Sequence, residues 1–485
     1  MAKFTGVVAM LTFVLLVEGT FLPIPGLFRG DPFPEPKSNT PIPSNVQLNT
    51  IVQRVDNFDP INSETWEQRF YSNNEFYQPG GPIFVFLAGE WDITPYRLTT
   101  SLMADIASDL NGNIFYLEHR FYGQSRPTND TSNANLRFLN TEQALADVAH
   151  FVEHVTSEEV SPGGSNSSVI VIGGHYSASL AIWFRQKYPH LCTGAWASSA
   201  PIHARVNHQE YKEIAGAAYR SAGGQECYRT IEQGFVSMEY YLAAGRADEI
   251  DELFKTCDPI RSPADVALFF SLVSEIFSII PQFNHIYSVR AVCDLITNGT
   301  EPEINRLASF INYAIEGIGV DCLPNGYDYL VENDREIDWD HPVNDLGMRP
   351  WSYQLCSQFG WFHSSNSRFQ PFGNGFGSHW FYIVCQDVFG DTFNQETIDA
   401  NVNRFNTMYG GFDPSVTNTI FVHGELDPWR SVGRQADLNP SSPFILIRGG
   451  SQGNDLGPVT DADSPQLLEA KRNITEIITR WVREA

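Results

Sequence analysis

Five short runs of apolar residues stand out along the chain, each bounded by glycine, proline or polar residues. In chain order they are PIFVFLAG, NIFYLEH, SVIVIGG, NTIFVHG and PFILIR. Runs of this length that are apolar at almost every position are typical of strands covered on both faces, as in a parallel sheet packed between helices. The pattern therefore predicts the central strands of an α/β domain.

Helical periodicity appears between these runs. In NTEQALADVAHFVEHV, apolar residues recur at helical spacing from Leu145 to Val152, and Thr141 is the predicted N-cap. Between about residues 204 and 342 the pattern is helical almost throughout, and strand-like runs resume after it. Strands that alternate with helices predict a mainly parallel sheet, and the helical stretch predicts an insertion into that sheet.

The N-terminal segment, residues 1–19, has one lysine, an apolar run and small residues before Thr20, which predicts a cleaved signal peptide. Its apolar run ends at Glu18, short of the roughly 20 residues that a membrane anchor needs, and no later stretch is predicted to span a membrane. Residues 20–45 are rich in proline, which predicts a surface arm or a propeptide. We therefore expect a secreted or lysosomal protein.

Four N-x-S/T sequons predict glycosylation along that route, at Asn129, Asn166, Asn298 and Asn473. The seven cysteines contain no C-x-x-C pair, so disulfides are expected, with at least one cysteine left over. The chain carries 31 Lys and Arg against 57 Asp and Glu, a formal net charge of −26. This balance opposes binding to nucleic acid or to an anionic membrane, and we expect neither partner.

One stretch, VIVIGGHYSASLAIWFRQKYPH at residues 169–190, points to a candidate catalytic site. An apolar strand runs into two glycines, a sharp turn and an amphipathic helix, which is the setting in which α/β-hydrolases display their nucleophile. His175 stands at the nucleophile position. Histidine tolerates a positive φ angle better than most residues, but its bulky ring cannot supply the alkoxide of a serine.

Several blocks of the sequence together resemble one known family. They are FYLEHRFYGQSRP, LRFLNTEQALADVAHF, FRQKYPHLCTGAWASSAPI, WSYQLCSQFGWF, VCQDVFG, MYGG and FVHGELDPWRSVG. In this order they resemble the family of lysosomal Pro-Xaa carboxypeptidase, dipeptidyl-peptidase II and thymus-specific serine peptidase, from about Val46 to the C-terminus. The resemblance implies an α/β-hydrolase fold with a helical cap-domain insertion, and active members are serine exopeptidases that cut beside proline.

The resemblance also assigns catalytic positions. The family's serine elbow, G-G-S-Y-G-G, aligns with His175, and its N-G-x-L-D-P-W loop aligns with the acid Asp427. Gln452 falls where the family has its general base, and an amide cannot accept the proton. The oxyanion hole would involve Tyr176, after the elbow, and the GEWD loop, where Trp91 replaces the usual glycine and would crowd the hole.

Neighbouring residues offer other arrangements at these positions. Ser177 or Ser179 could act as a surrogate nucleophile, but both fall on the first turn of the following helix and point away from the elbow. A metal site of His175, His423 and Asp427 has no local ligand spacing, so no metal and no cofactor is predicted. Gln358 stands where the family commonly has Glu, which would weaken recognition of a peptide terminus. The family block at Glu118, His119, Arg120, Tyr122 and Gly123 is kept, and we expect it to hold a strand-to-loop junction together.

These observations predict a core of residues 46–204 and 346–485 with a cap of residues 205–345. The predicted function is that of a homologue of proline-directed serine exopeptidases that lacks hydrolase activity and binds a peptide or protein between core and cap. The alternative is an active exopeptidase that uses a surrogate site. A homodimer is possible.

Overall fold

The structure, a computed structural model, describes residues 44–317 and 319–484. The predicted signal peptide, residues 1–19, and nearly all of the proline-rich segment, residues 20–45, lie outside the described residues.

One eight-stranded sheet forms the centre of the molecule. Its strands are β1 (Val46–Arg54), β2 (Thr65–Asn73), β3 (Ile83–Leu87), β4 (Asn113–Leu117), β5 (Val169–Gly174), β6 (Gly194–Ser198), β9 (Thr419–Gly424) and β10 (Phe444–Ile447). Their spatial order is β1-β2-β4-β3-β5-β6-β9-β10. The pairs β1–β2 and β2–β4 are antiparallel, and all the other pairs are parallel. This sheet order, crossed by helices, is that of an α/β-hydrolase, which confirms the predicted fold class.

All five predicted apolar runs are strands, and four of them are buried along their whole length. The sequence pattern did not predict β1, β2 and β6. The first two are antiparallel strands at the sheet edge, and their buried and exposed residues alternate. Strand β6, GAWAS, consists mostly of small residues. A side chain at its Gly194 would collide with the ring of Trp481.

Helices cover both faces of the sheet. They are α1 (Leu102–Leu110), α2 (Asn133–Leu136), α3 (Thr141–Val155), α4 (Tyr176–Lys187) and α15 (Pro465–Glu484). One face packs against α1 and α15 in the smaller core cluster, and the other packs against α3 and α4 in the larger one. The predicted N-cap of α3 is wrong: Asn140 is the cap, because its side chain accepts the N–H of Gln143.

The segment between β6 and β9 contains the remaining helices. They are α5 (Glu210–Ala243), α6 (Ala247–Phe254), α7 (Pro263–Gln282), α8 (Val289–Thr297), α9 (Glu303–Gly317), α10 (Tyr327–Arg335), α11 (Pro342–Asp345), α12 (Met348–Gln354), α13 (Ser378–Phe389) and α14 (Gln395–Tyr409). Two short strands, β7 (Arg205–Asn207) and β8 (Gly360–Phe362), form a separate parallel pair. We call this segment, residues 199–418, the cap; it is wider than the cap-domain insertion predicted from the sequence, residues 205–345, whose bounds stay a prediction. Helix α5 is interrupted at Gly224, whose φ of 79° is not helical.

Helix α7 is long and apolar enough to cross a membrane, which the sequence interpretation overlooked. Most of it is buried inside the protein, and its Glu275 forms an ion pair with Lys212 of α5. It is therefore the central helix of the cap, and no membrane span is implied.

Three disulfides also lie in the cap: Cys227–Cys293, Cys257–Cys322 and Cys356–Cys385. The seventh cysteine, Cys192, is a buried free thiol, and burial raises its pKa to about 11. The expected disulfides and the expected leftover cysteine are both confirmed.

Candidate active site

The turn after β5 has the geometry of a nucleophile elbow. His175 has φ 53° and ψ −124°, a conformation that costs energy for a residue with a side chain, and α4 begins immediately after it. Its N–H donates to the carbonyl of Ser198 (2.9 Å), and its own carbonyl accepts the N–H of Ala178 (3.0 Å). A side chain at Gly173 would collide with the backbone of Ser177, so the tight turn requires glycine there.

The His175 imidazole is fully buried. Its Nδ1 lies 3.2 Å from Oε1 of Glu90, and its ring meets the Trp429 indole edge-on with centroids 4.5 Å apart. Trp351 lies on a further side, with a centroid distance of 6.3 Å. The residue at the tip of the elbow therefore contacts a carboxylate and aromatic rings of the protein itself.

Glu90 belongs to the loop after β3 in which Trp91 was predicted to matter, and sequence reasoning missed it. The indole of Trp91 packs over Gly89 in the smaller core cluster, and its Nε1–H donates to Tyr116 Oη (2.6 Å). Glu90 is the side chain of this loop that the structure places against His175. The only signal in the sequence was an acidic residue three positions after a buried strand.

Tyr176, the residue after the elbow, is buried and forms hydrogen bonds through its hydroxyl. Gln354 Nε2 donates to that hydroxyl (2.9 Å), and His119 Nε2 lies 3.2 Å from it. His119 Nδ1 lies 2.7 Å from the carbonyl of Arg120, which assigns its proton to Nδ1 and leaves Nε2 to accept the tyrosine proton. These bonds fix the start of α4 relative to the strand β4.

Asp427 follows β9 at the same edge of the sheet. It is fully buried, and its Oδ1 accepts the N–H of Trp429 (3.0 Å), so it caps a short helical turn. Its other oxygen, Oδ2, lies 3.7 Å from His423 Nδ1, which is beyond hydrogen-bonding distance. Trp429, two residues after Asp427, contacts the His175 ring, so the acid loop and the elbow contact each other.

Gln452 lies in the loop after β10 and is also fully buried. Its backbone N–H donates to the carbonyl of Gln282 at the end of α7 (3.0 Å), which ties this loop to the cap. In the same loop, Asp455 accepts hydrogen bonds from Ser198 Oγ (2.6 Å) and Trp196 Nε1 (2.8 Å) of β6. The structure thus places His175, Asp427 and Gln452 on three loops that follow parallel strands of the one mixed sheet, at the carboxyl ends of those strands.

Side chains of the cap complete the surroundings of Trp429. Tyr211 stacks on His363 with centroids 3.5 Å apart, and His363 and His208 meet the Trp429 ring at 4.8 and 5.4 Å. Burial lowers the pKa of both histidines, and the charges that they would place on each other lower that of His208 further. Sequence reasoning missed this group because its members come from three distant parts of the chain, at residues 208–211, 363 and 429.

A buried ion pair lies behind this group. Lys212 Nζ is 2.5 Å from Glu275 Oε2, and His363 Nδ1 is 3.3 Å from the other carboxylate oxygen. Burial acts to raise the pKa of Glu275, but the attraction of Lys212 and His363 outweighs it and lowers that pKa to about 2. The cap therefore presents an ionised but internally paired group to the site.

The two serines after the elbow are engaged with the backbone. Ser177 Oγ donates to the Gly174 carbonyl (2.9 Å) and accepts the Gly174 N–H (3.0 Å). Ser179 Oγ donates to the carbonyl of Pro201 (2.6 Å). Both side chains are buried. Within residues 44–317 and 319–484, no group of three or more His, Cys, Asp or Glu side chains could hold a metal ion.

Gln358, predicted to affect terminal recognition, accepts the N–H of Thr141 (3.2 Å) at the start of α3. The structure therefore places it at a helix terminus.

The block at the end of β4 forms two buried charge networks. Arg120 donates to both oxygens of Asp147 (2.6 and 2.7 Å) and to backbone carbonyls, and Glu118 accepts from Arg69 Nε (2.9 Å). Both networks join strands to neighbouring loops and helices.

A family model described as serine carboxypeptidase S28 matches residues 53–474. The chain is 28% identical over 499 residues to the lysosomal Pro-X carboxypeptidase of Mus musculus, an alignment that covers 98% of this chain and 97% of that protein. It is 28% identical over 450 residues to the thymus-specific serine protease of Homo sapiens, covering 90% and 86% of the two chains.

Among solved structures, the proline iminopeptidase of Mycobacterium smegmatis aligns with a TM-score of 0.36 and 10% identity over 90% of this chain and 98% of that chain. The family model spans most of the sequence, which confirms the resemblance stated from the motifs. The chain belongs to the serine carboxypeptidase S28 family.

Proposed function

We propose that this protein is a member of the S28 family without serine hydrolase activity, and that it acts by binding a peptide or protein between core and cap. The observation that carries the proposal is His175 at the tip of the elbow, buried against Glu90 and Trp429. An imidazole at that position has no hydroxyl with which to form an acyl-enzyme. Homology to proline-directed serine peptidases supports a peptide as the ligand class.

The remaining catalytic positions support the same proposal. Gln452 supplies an amide, which cannot act as a general base near neutral pH. Asp427 keeps the acid position, but an acid there serves to orient an imidazole, and Gln452 offers none. In a well-studied hydrolase, loss of the nucleophile or of the base alone lowers kcat by about 10⁶.

The alternative, an active exopeptidase with a surrogate nucleophile, receives little support from the serines near the elbow. Ser177 and Ser179 both donate to backbone carbonyls, and each is buried. A nucleophilic serine instead donates its proton to a base within about 3 Å.

A secreted or lysosomal location fits the three disulfides and the lysosomal Pro-X carboxypeptidase relative. Cleavage of the predicted signal peptide and glycosylation at the sequons are part of the proposal. Intact-mass measurement of protein collected from the culture medium, with and without glycosidase, tests both.

The central test compares wild type with the His175→Ser/Gln452→His double variant in labelling by a fluorophosphonate probe. Wild type should not be labelled, and it should bind Pro-containing tripeptides, detected by isothermal titration, that mass spectrometry then recovers intact. The double variant should gain labelling at residue 175 if the frame around Asp427 still supports a triad.

The matched control is the His175→Ala/Gln452→His variant, which has the base but no nucleophile and should stay unlabelled. Turnover of Pro-containing peptides by wild type, or covalent labelling of Ser177 or Ser179, would contradict the proposal and favour the alternative.

A further inference from the structure

A groove of about 520 Å³ lies in the cap, away from the elbow. It is bounded by the end of α6, the end of α8 and the length of α9. Its wall includes Asn298, the residue that ends α8 and that opens one of the four sequons. The volume is within the range of small-molecule sites, roughly 300 to 1,000 Å³.

The lining has the chemistry that binds sugars. Amide, hydroxyl and charged side chains alternate with apolar surface, namely Asn305, Arg306, Ser309, Asn312, Tyr313 and Leu295. Such a surface offers hydrogen bonds to hydroxyl and N-acetyl groups and an amphipathic ring face for the carbon–hydrogen face of a pyranose. The Leu295 side chain is 39% exposed, which leaves apolar surface open to water.

Three polar atoms on the lining residues have unused hydrogen-bonding capacity, one of them Arg306 Nε. Asn312 Nδ2 donates to the carbonyl of Leu253 (2.9 Å), but the Oδ1 of the same amide accepts no hydrogen bond from the described residues. The Tyr313 hydroxyl also lacks a partner there, although the atom is buried. Buried polar atoms without a protein partner are where an ordered water or a ligand is expected.

We propose that the N-acetylglucosamine core of a glycan on Asn298 occupies this groove and packs against α9. The attachment residue, Asn298, belongs to the groove wall, so the sugar is held at the high effective concentration of a tethered ligand. Weak individual contacts are then sufficient to keep it docked. The sequons at Asn129 and Asn166 provide a comparison, because both asparagines are exposed.

The test is native deglycosylation of the full secreted chain with an endoglycosidase that cuts within the N-acetylglucosamine core, followed by site-resolved mass spectrometry. The glycans on Asn129 and Asn166 should be released first, and the glycan on Asn298 about tenfold more slowly, the ratio that a docking preference of about 1.4 kcal/mol gives. Denaturation before digestion should make the three rates equal.

Substitutions in the groove wall distinguish a glycan that is docked in the groove from one that is only attached to Asn298. Ser309 is an exposed residue of the groove wall, and Ser309→Arg fills the groove without altering the sequon. In this variant the Asn298 glycan should be released at the rate of the Asn129 glycan, whereas Ser309→Ala should leave it protected. Thr300→Ser keeps the sequon and should keep the protected glycan, and Thr300→Ala should remove it.

An unmodified Asn298 in the wild-type protein would overturn the proposal. So would equal native release rates at the three sites, or protection that persists in Ser309→Arg. The outcome is independent of the hydrolase question, because none of these residues lies near the elbow loops.

Discussion

Two polar clusters lie at the carboxyl edge of the same sheet and differ in how their charges are paired. At the end of β4, Arg120 and Asp147 form a two-fold hydrogen-bonded ion pair with both side chains fully buried. At the end of β9, the equally buried Asp427 accepts one backbone N–H, and the nearest histidine nitrogen is 3.7 Å away. The first cluster is complete as a structural unit, whereas the second holds an acid whose ion-pair partner among the described residues, His423, lies beyond hydrogen-bonding distance.

The difference indicates which part of the family's frame the fold itself requires. Arg120 joins α3 to β4 and also donates to carbonyls of the edge-strand region, so its loss would disturb several elements at once. The loops at the elbow are fixed mainly by backbone bonds and by contacts between aromatic rings. We therefore expect the side chains at residues 175 and 452 to be replaceable with little effect on the backbone of these loops.

The largest expected effect is at the complete cluster. Asp147→Asn should lower the free energy of unfolding by about 3 to 5 kcal/mol, because the amide would leave the buried Arg120 guanidinium without its carboxylate. Urea unfolding followed by tryptophan fluorescence measures this change.

The control for this prediction is Asp345→Asn. Asp345 pairs with Arg126 at 2.9 Å, but its side chain is half exposed, so the variant should lose less than about 1 kcal/mol. Similar losses in both variants would contradict the distinction between the two kinds of pair.

A second prediction concerns the pH dependence of stability. It involves His119, which lies next to Arg120 and whose Nε2 lies 3.2 Å from the hydroxyl of Tyr176, the residue after the elbow. Burial lowers the pKa of His119 to about 3, and the Arg120 charge acts in the same direction. Since the folded-state pKa lies below the unfolded value of about 6.5, the unfolded chain binds the proton first and stability falls as pH falls below about 6.5. His119 alone should account for a loss of about 2 kcal/mol between pH 8 and pH 5.

The measurement is the free energy of unfolding of wild type and His119→Gln at pH 8 and pH 5. The variant should be less sensitive to acid by about that amount, even if it is less stable at both values. His190→Gln is the control, because His190 is exposed and its loss should not change the pH dependence. An unchanged acid sensitivity in His119→Gln would show that folding does not lower the pKa of His119.

The sequence predicted the parts of this molecule that local pattern controls. The central strands β3, β4, β5 and β9 are apolar on both faces, so their runs were visible, and the elbow motif followed from the strand, turn and helix around His175. The edge strands were not visible because alternating exposure over nine residues carries a weak signal beside loops of similar polarity.

The site itself was predictable only in part. The positions of His175, Asp427 and Gln452 came from motif order, but Glu90 has no periodicity or spacing that distinguishes it from other loop acids. The contacts of Tyr211, His363 and Trp429 depend on how the cap folds onto the core, so they join residues that the sequence places far apart. The orientation of Trp91 was equally inaccessible, because a residue name does not say which side of a loop its ring will occupy.

The smallest expected effect on stability is at the incomplete cluster, and it uses the same chemical change as the largest. Asp427→Asn should change the free energy of unfolding by less than about 1 kcal/mol, because the amide oxygen can still accept the N–H of Trp429 and no paired cation is left behind. A loss of 3 kcal/mol or more in urea unfolding would mean that a charge partner holds Asp427 as Arg120 holds Asp147. The same substitution added to His175→Ser/Gln452→His should abolish any fluorophosphonate labelling that the double variant gains, because the restored imidazole would lose the carboxylate that orients it. The carboxylate at 427 would then matter to the hydrolase chemistry that we propose the wild-type chain does not perform, and hardly at all to folding, which is the reverse of the carboxylate at 147.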